Sequence, residues 1–131
     1  MLKDNHWVAT RAEMSELVTL ARRDYPRLAI EIEVDGLEQL GEVLPLQVEW
    51  ILLDNFLPDQ AREAVRMRDA VQPQRQTRLE ASGNIDLDNV DAYARAGVDA
   101  VSIGRLTHSA PGLDLAMDLD FPGQEKKGSP T

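Results

Sequence analysis

Residues 48–55 read Val48-Glu49-Trp50-Ile51-Leu52-Leu53-Asp54-Asn55, a largely apolar run that stops abruptly at two polar residues. Bulky and β-branched residues over this length indicate a strand over Val48–Leu53 that is buried on both faces, as in parallel sheets covered by helices. A carboxylate directly after such a strand needs a partner or polar surroundings. Asp54 is therefore interpreted either as a cap or turn residue, a role that Asn55 would share, or as a ligand-binding group.

On the N-terminal side of this strand, residues Ala29–Asp35 alternate between apolar and acidic side chains. The period of two predicts a strand whose carboxylates lie on one face, namely Glu31, Glu33 and Asp35. Such a face belongs either to a solvated edge strand or to the mouth of a barrel, where carboxylates hold ribose hydroxyls or a hydrated divalent cation. Helices are predicted over residues 11–23 and over Leu37–Val43.

On the C-terminal side, helices and strands continue to alternate. The predicted elements are a helix over Asp59–Val71 after Pro58, a strand over Thr77–Ala81, a helix over Asp88–Ala96 ended by Gly97, and a strand over Asp99–Ile103. Met1–Asp4 fits the end of one further strand. The sequence therefore predicts an α/β fold of successive βα units with about five parallel strands.

A group of residues closes the predicted strands, at the edge where parallel α/β folds gather their chemistry. They are Lys3, Glu33, Asp54, the Ser82-Gly83-Asn84 turn and Gly104. The turn over residues 82–84 is either a plain tight turn or, together with the N-terminus of the following helix, an anion-binding concavity. The loop over residues 104–109 adds a cation, two hydroxyls and an imidazole, and paired strand-end loops of this kind form the phosphate site of many barrels. His6 and His108 have no metal-binding spacing.

The composition excludes several classes of function. The chain has 131 residues with 14 basic and 23 acidic side chains, a formal net charge of −9, which argues against a nucleic-acid or anionic-membrane partner. It has no cysteine, which removes disulfides, thiol catalysis and thiolate metal sites. No charged-then-apolar leader opens the sequence, so a cytoplasmic location is predicted.

Five stretches of the chain, in order, resemble the C-terminal part of the quinolinate phosphoribosyltransferase family, whose members are also called nicotinate-nucleotide pyrophosphorylases (carboxylating). Together the stretches extend from residue 2 to about residue 119. They are Leu2-Lys3-Asp4-Asn5-His6, Ile30-Glu31-Ile32-Glu33-Val34-Asp35, Leu52-Leu53-Asp54-Asn55-Phe56, Leu79-Glu80-Ala81-Ser82-Gly83, and Ile103-Gly104 with Leu106-Thr107-His108-Ser109.

The resemblance implies a reaction of NAD biosynthesis in which quinolinate attacks the anomeric carbon of phosphoribosyl pyrophosphate, releasing pyrophosphate and then carbon dioxide to leave nicotinate mononucleotide. Magnesium accompanies the pyrophosphate. It implies that Lys3 neutralises anionic substrate. It also implies that Glu33 and Asp54 hold the ribose hydroxyls and the metal shell and stabilise positive charge on the ribose. The residues it assigns to the 5′-phosphate are Ser82, Gly83, Asn84, Gly104, Arg105 and His108, and Ser102 is a further substrate-binding residue.

The chain departs from the family pattern in two residues and in length. Asn84 stands where members usually have Gly, and Arg105 where they have a small residue; Asn tolerates the left-handed backbone region. The family has a separate N-terminal domain and earlier strands that supply arginines and a lysine to quinolinate, and the second subunit of a homodimer completes its site. A full barrel takes about 250 residues.

We therefore expect a partial (β/α) barrel over residues 1–120, a flexible tail over 121–131, and a piece of the enzyme carrying the phosphoribosyl half of the site. Two alternatives stay open. One is the related phosphoribosyltransferase associated with molybdenum transport. The other is a non-catalytic half-barrel that acts by pairing with another chain.

Overall fold

The computed structural model describes residues 11–104, in which helices and strands alternate from beginning to end. The elements in chain order are α1 (Arg11–Asp24), β1 (Glu31–Val34), α2 (Leu37–Val43), a 3-10 turn (Leu44–Leu46), β2 (Trp50–Asp54), α3 (Pro58–Val71), β3 (Arg78–Ser82), α4 (Val90–Ala96) and β4 (Ala100–Val101).

The four strands form one parallel sheet in the order β1-β2-β3-β4. This confirms the α/β class and the succession of βα units. Each strand neighbours the one before it in sequence, as in the wall of a (β/α) barrel, whereas the strand order of a doubly wound sheet reverses partway. The strand expected at residues 1–4 and the tail expected at 121–131 lie outside the described residues.

One face of the sheet and the helices enclose a single hydrophobic core. Alternate residues of the first three strands point into it and are at most 1% exposed: Ile32, Val34, Ile51, Leu53, Leu79 and Ala81. The helices add Met14 and Val18 from α1, Leu40 and Val43 from α2, Ala61, Ala64 and Val65 from α3, and Tyr93 and Ala96 from α4. Leu52, on the opposite face, is 8% exposed, so the prediction that this strand is buried on both faces is confirmed.

The opposite face of the sheet, here called the polar face, is formed by residues 31, 33, 50, 52, 54, 78, 80 and 82. Its charged residues flank two large apolar side chains. The guanidinium of Arg78 lies 5.2 Å from the ring centroid of Trp50, a cation–π contact between neighbouring strands. The strand register sets Leu52 between Glu33 and Glu80. The polar face therefore carries most of its charge on carboxylates.

Three strands begin later than the sequence pattern predicts, because side chains satisfy the backbone where each strand enters the sheet. Before β2 and β3, the hydroxyl of Thr77 donates to the carbonyl of Val48 at 2.7 Å. Before β1, the N–H of Ile30 donates to the carboxylate of Glu49 at 2.8 Å. The observed starts, Glu31, Trp50 and Arg78, follow these contacts by one or two residues.

The last helix and the last strand are shorter than predicted. The carboxylate of Asp86 accepts hydrogen bonds from the N–H groups of Asp88 at 3.0 Å and Asn89 at 3.2 Å, and this turn delays α4 until Val90. Strand β4 spans Ala100–Val101 rather than Asp99–Ile103, and it begins after Asp99, whose carboxylate binds the N–H of Leu79 at 2.8 Å.

A buried arginine ties α3 to the sheet. Arg68 is fully buried, and its guanidinium contacts the carboxylate of Asp99 and, at 2.9 Å, that of Asp69. Asp69 is in turn held at 2.9 Å by the exposed Arg75. The sequence pattern, in which a helical arginine indicates a solvated face, gives no sign of this cluster.

Within residues 11–104, every helix is too short or too polar to span a bilayer.

Gly41 occupies the interior of α2, where glycine has no structural requirement. A methyl group there would meet only the flexible end of Met67, at 3.6 Å. Since alanine loses less backbone entropy in a helix, Gly41→Ala is expected to raise the free energy of unfolding by about 0.5–1 kcal/mol. Urea denaturation followed by circular dichroism measures this, and a loss of stability would show that the position is more crowded than the structure indicates.

Candidate active site

The strand register brings four of the expected site residues to one edge of the polar face. Asp54 and Ser82 are direct neighbours at the ends of β2 and β3. Glu33 pairs with Leu52, so it lies diagonally to Asp54, at a Cα separation of about 8 Å given ordinary sheet dimensions. Ser102 follows β4, and its N–H donates to the carbonyl of Ala81 at 2.9 Å.

The remaining expected residues fall in two groups. Gly83, Asn84 and Gly104 lie in the turns that follow β3 and β4. Lys3, Arg105 and His108 lie outside the described residues. The described part of the predicted site is therefore the carboxylate pair and the phosphate turns up to Gly104.

The turns after β2 and β3 both pass through the left-handed backbone region. The φ angles are 55° at Asn55, 89° at Gly83 and 52° at Asn84. Asparagine is the residue after glycine that enters this region most readily, because its short amide side chain bonds to nearby backbone. Asn84 thus adopts a backbone conformation that glycine also adopts readily, and its side chain reaches Asn55, with Nδ2 and Oδ1 separated by 3.3 Å.

Hydrogen bonds join the two turns to each other and to α4. The N–H of Asn55 donates to the carbonyl of Ser82 at 2.8 Å, and its Nδ2 donates to the carboxylate of Asp54 at 2.8 Å. Nδ2 of Asn89 donates to the carbonyl of Asn84 at 2.9 Å. The hydroxyl of the buried Tyr93 donates to the carbonyl of Phe56 at 2.9 Å. The strand-end turns are therefore fixed from both sides.

The N-terminus of α4 does not open directly from the Ser82-Gly83-Asn84 turn, as the anion-site prediction assumed. A turn over residues 86–89 intervenes, and the N–H groups of Asp88 and Asn89 are taken by the carboxylate of Asp86. An anion at this edge would thus be held by the groups of the turn itself and of the loop after β4.

Glu80 is a member of the polar face that the sequence argument did not single out. It accepts a hydrogen bond from the hydroxyl of Ser102, so that hydroxyl has its hydrogen turned toward the protein. The signal for Glu80 was available, since the alternation of Leu79 and Ala81 into the core places residues 80 and 82 together on the other face. Glu80 precedes the end of its strand, whereas the candidate residues predicted from sequence lie at strand ends.

The carboxylate of Glu31 has a raised pKa. Its partial burial disfavours the charged form, and the negative charges of Glu80 and Glu33 add to this. The acidic strand predicted from residues 29–35 is therefore not fully solvated. The negative charge of Glu31 destabilises the folded state, because Glu31 is partly buried and is repelled by Glu80 and Glu33.

The raised pKa of Glu31 makes stability depend on pH. Protonated Glu31 favours the folded state, so its contribution is fully present below the ordinary value of 4.5 and is lost as pH rises through the raised folded pKa. Glu31→Gln, which mimics the neutral form, is expected to be more stable than wild type at pH 7, with the advantage gone at pH 3.5. Thermal unfolding at the two pH values tests this, with Glu42→Gln, exposed on α2, matching the change in net charge. An equal gain from both variants would assign the effect to net charge alone.

Among the described residues, no three acidic or histidine side chains converge to form a metal cluster. Glu33 and Asp54 are two carboxylates at one edge. This donor set suits Mg²⁺, which commonly binds one or two carboxylates and takes its other ligands from water and substrate phosphates. It does not suit a cation that needs an all-protein cage.

Comparisons with known proteins give one consistent result. The family model described as quinolinate phosphoribosyl transferase, C-terminal domain, matches residues 1–118. The chain is 43% identical over 119 residues to the nicotinate-nucleotide pyrophosphorylase [carboxylating] of Mycobacterium leprae, covering 91% of this chain and 41% of that protein. It is 33% identical over 125 residues to the protein of the same name from Rattus norvegicus, covering 94% and 40%.

A solved structure is similar as well. The nicotinate-nucleotide pyrophosphorylase of Francisella tularensis superposes with a TM-score of 0.66 at 30% identity, over 81% of this chain and 35% of that one. The chain spans about two fifths of the length of the curated relatives it matches.

Proposed function

The chain belongs to the quinolinate phosphoribosyl transferase family, whose C-terminal domain it matches over residues 1–118, and from this premise we propose that it carries the phosphoribosyl half of that enzyme's site. The proposed reaction serves NAD biosynthesis. The ring nitrogen of quinolinate forms a bond to the anomeric carbon of phosphoribosyl pyrophosphate, and pyrophosphate leaves with the electrons of the bond that breaks. The carboxylate beside the ring nitrogen then leaves as carbon dioxide, a proton replaces it, and nicotinate mononucleotide remains.

The carboxylate pair supports the first step of this proposal. As pyrophosphate leaves, positive charge grows on the ribose, and fixed negative groups beside the sugar stabilise that charge. Glu33 and Asp54 supply two carboxylates from adjacent strands on the same face. Either can also accept hydrogen bonds from ribose hydroxyls.

The turns after β3 and β4 support binding of the 5′-phosphate. We propose that Ser82, Gly83 and Asn84 cradle it together with Gly104. Ser102 donates its N–H to Ala81 and its hydroxyl to Glu80, so it would join them only after its hydroxyl turns from Glu80 to the phosphate. Arg105 and His108 would add charge from the same loop, and Lys3 would neutralise anionic substrate. The net charge of −9 makes such local donors necessary.

Magnesium is the cation proposed here. Glu33 and Asp54 would complete its shell, and the ion would supply charge neutralisation for the pyrophosphate. The cytoplasmic location and the homodimer expected for a whole enzyme stay predictions.

The observation that carries the proposal is that Glu33 and Asp54 lie diagonally to each other on neighbouring strands, beside the Ser82-Gly83-Asn84 turn. Glu33→Gln and Asp54→Asn are each expected to weaken binding of phosphoribosyl pyrophosphate with Mg²⁺ by about tenfold or more, since each removes a charged acceptor. Binding of ribose 5-phosphate, which lacks the pyrophosphate, should weaken less. Isothermal titration calorimetry measures both.

Glu42→Gln is the control for loss of one negative charge, and it should bind as wild type does. If wild type gives no heat with phosphoribosyl pyrophosphate, ribose 5-phosphate or inorganic phosphate, the proposed function is wrong. Assay of quinolinate-dependent nicotinate mononucleotide formation then asks whether the chain is active by itself.

A second candidate is a half-barrel that acts by pairing with another polypeptide. It is favoured by a groove of about 380 Å³ between α1 and the start of β1, whose lining is mostly apolar. Two residues that line this groove are largely exposed: 63% of the surface of Tyr25 and 66% of that of Leu28. Light scattering separates the two candidates, because a monomer that binds phosphoribosyl pyrophosphate contradicts an obligate pairing role.

A further inference from the structure

Asn55 lies where the carboxylate side of the site meets the phosphate turn. It makes three polar contacts: its N–H donates to the carbonyl of Ser82, its Nδ2 donates to Asp54, and its Oδ1 accepts from Nδ2 of Asn84. We propose that Asn55 is a positioning residue that holds the Asp54 carboxylate and the Ser82-Gly83-Asn84 turn as one unit. The inference rests on the proposed function, in which these two groups bind opposite parts of one substrate.

The chemistry of the asparagine amide suits this role because it has a donor and an acceptor on one planar group. Nδ2–H points to a carboxylate, which only accepts, and Oδ1 receives a hydrogen from another amide. An aspartate in the same place has no donor for Asp54 and adds a second negative charge beside it. The nearly isosteric acid can therefore still accept from Asn84, but it cannot donate to Asp54, so it breaks the link on the carboxylate side.

The backbone conformation of Asn55 also favours the link between Asp54 and the Ser82-Gly83-Asn84 turn. Asn55 adopts a φ of 55°, which turns the chain so that its N–H meets β3 while its side chain folds back to Asp54. The amide also lies against the backbone of Gly83, where a Cβ would fall 2.7 Å from Cγ of Asn55. No side chain separates the amide from the turn.

Asn84 completes the link from the other side. Its side chain donates to Oδ1 of Asn55 at 3.3 Å, and its own carbonyl is held by Asn89 at 2.9 Å. A glycine at this position would keep the left-handed backbone but lose the contact to Asn55. Asn84→Gly therefore removes the link on the turn side and leaves the bond from Asn55 to Asp54 in place.

Asn55 is expected to affect substrate binding by fixing the distance between the carboxylates and the Ser82-Gly83-Asn84 turn. A substrate that contacts both the carboxylates and the turn gains from both only if they are held at the distance it spans, and such positioning contributes affinity without a direct contact. A ligand that contacts the turn alone gains little. The two classes of ligand should therefore respond differently to loss of Asn55.

The experiment compares Asn55→Asp, Asn55→Ala, Asn84→Gly and the double variant Asn55→Ala/Asn84→Gly. Thr77→Val is the matched control, because it removes a buried hydrogen bond before β3, away from the strand-end turns. Calorimetry is run with phosphoribosyl pyrophosphate plus Mg²⁺ and, separately, with ribose 5-phosphate.

We expect Asn55→Asp and Asn55→Ala to weaken binding of phosphoribosyl pyrophosphate by about tenfold and of ribose 5-phosphate by less than about threefold. Adding Asn84→Gly to Asn55→Ala should not weaken binding further, because both substitutions break the same hydrogen bond between Asn55 and Asn84. Thr77→Val should bind both ligands as wild type does. Additive effects of the two Asn variants, or equal weakening for both ligands, would overturn the proposal.

A second measurement on the ligand-free chain separates this inference from the proposed function. Nitrogen-15 relaxation of residues 83–85 is expected to show larger fast motion in Asn55→Ala and Asn84→Gly than in wild type or Thr77→Val. If wild type binds no phosphoribosyl pyrophosphate but this increase appears, the proposed function fails and the link stands. Unchanged relaxation in both variants shows that Asn55 does not hold the turn, whatever the chain binds.

Discussion

Replacing Asp99 by alanine is expected to lower the free energy of unfolding by about 3 kcal/mol, at the lower end of the range for removing one partner of a buried ion pair. The carboxylate of Asp99 contacts the guanidinium of Arg68, which is fully buried, and binds the N–H of Leu79 at 2.8 Å. Its removal leaves a buried positive charge with one fewer acceptor and a strand N–H with no side-chain partner. The carboxylate of Asp69 remains beside Arg68, which keeps the loss from being larger.

Urea unfolding at pH 7 measures this effect. The pKa of Asp69 is lowered: burial acts to raise it, but the hydrogen bonds from Arg68 and Arg75 outweigh burial. The contribution of Asp69 to stability is accordingly present above its ordinary pKa of 3.8 and is lost as pH falls through the folded value. At pH 7 the ion pairs of Asp69 with Arg68 and Arg75 are therefore intact.

Two further variants make the result specific. Asp91→Ala breaks the exposed pair with Arg95, whose atoms are 3.8 Å apart, and should leave stability unchanged. Arg68→Met added to Asp99→Ala should recover part of the loss, because it removes the uncompensated charge and keeps an apolar side chain of similar length. If Asp99→Ala costs less than about 1 kcal/mol, the cluster holds the helix less firmly than its burial implies.

Gly83→Ala is expected to damage both stability and ligand binding. Its φ of 89° is strained for any residue with a Cβ, at a cost of about 1–2 kcal/mol. In addition, the new methyl group would lie 2.7 Å from Cγ of Asn55 and 3.0 Å from its backbone nitrogen, so the turn and Asn55 must separate. We expect binding of phosphoribosyl pyrophosphate with Mg²⁺ to weaken by about tenfold or more.

Gly97→Ala is the matched control for backbone strain. It has a similar φ of 93° at the end of α4, but its nearest neighbour is a methyl carbon of Val65 at 3.5 Å. It should lose stability through strain alone and bind ligand as wild type does. Calorimetry and urea unfolding on both variants separate the two effects. Normal binding by Gly83→Ala would mean that the turn can move away from Asn55 without disturbing the site.

The overall fold follows from sequence because its signals are local and periodic. The alternation at residues 30–35 and the apolar run at 48–53 predict the first two strands, and the register that results places Glu33, Asp54 and Ser82 on one face. A shift of one residue would turn these side chains into the core, so the pattern that buries Ile32 and Leu53 also locates the carboxylates.

What the sequence does not reveal depends on contacts between distant residues. Arg68 and Asp99 meet only after α3, β3 and α4 have packed, and each is unremarkable in its own segment. The starts of the first three strands shift for the same reason, since Glu49 and Thr77 bind backbone groups 19 and 29 residues away in sequence. The later start of α4 has a local cause, because Asp86 binds the N–H of Asp88. The role inferred for Asn55 likewise needs the partners that β3 brings to it.

The unreversed order of the strands has a consequence for how the molecule is made. Within residues 11–104, each strand after the first pairs with the strand synthesised just before it, so none of these pairings waits for a later strand. Such short-range pairing lowers the entropy lost in closing each loop and favours fast folding for a parallel sheet. The described sheet can thus be assembled in the order of translation, with the turn over residues 82–84 formed only when β3 docks on β2.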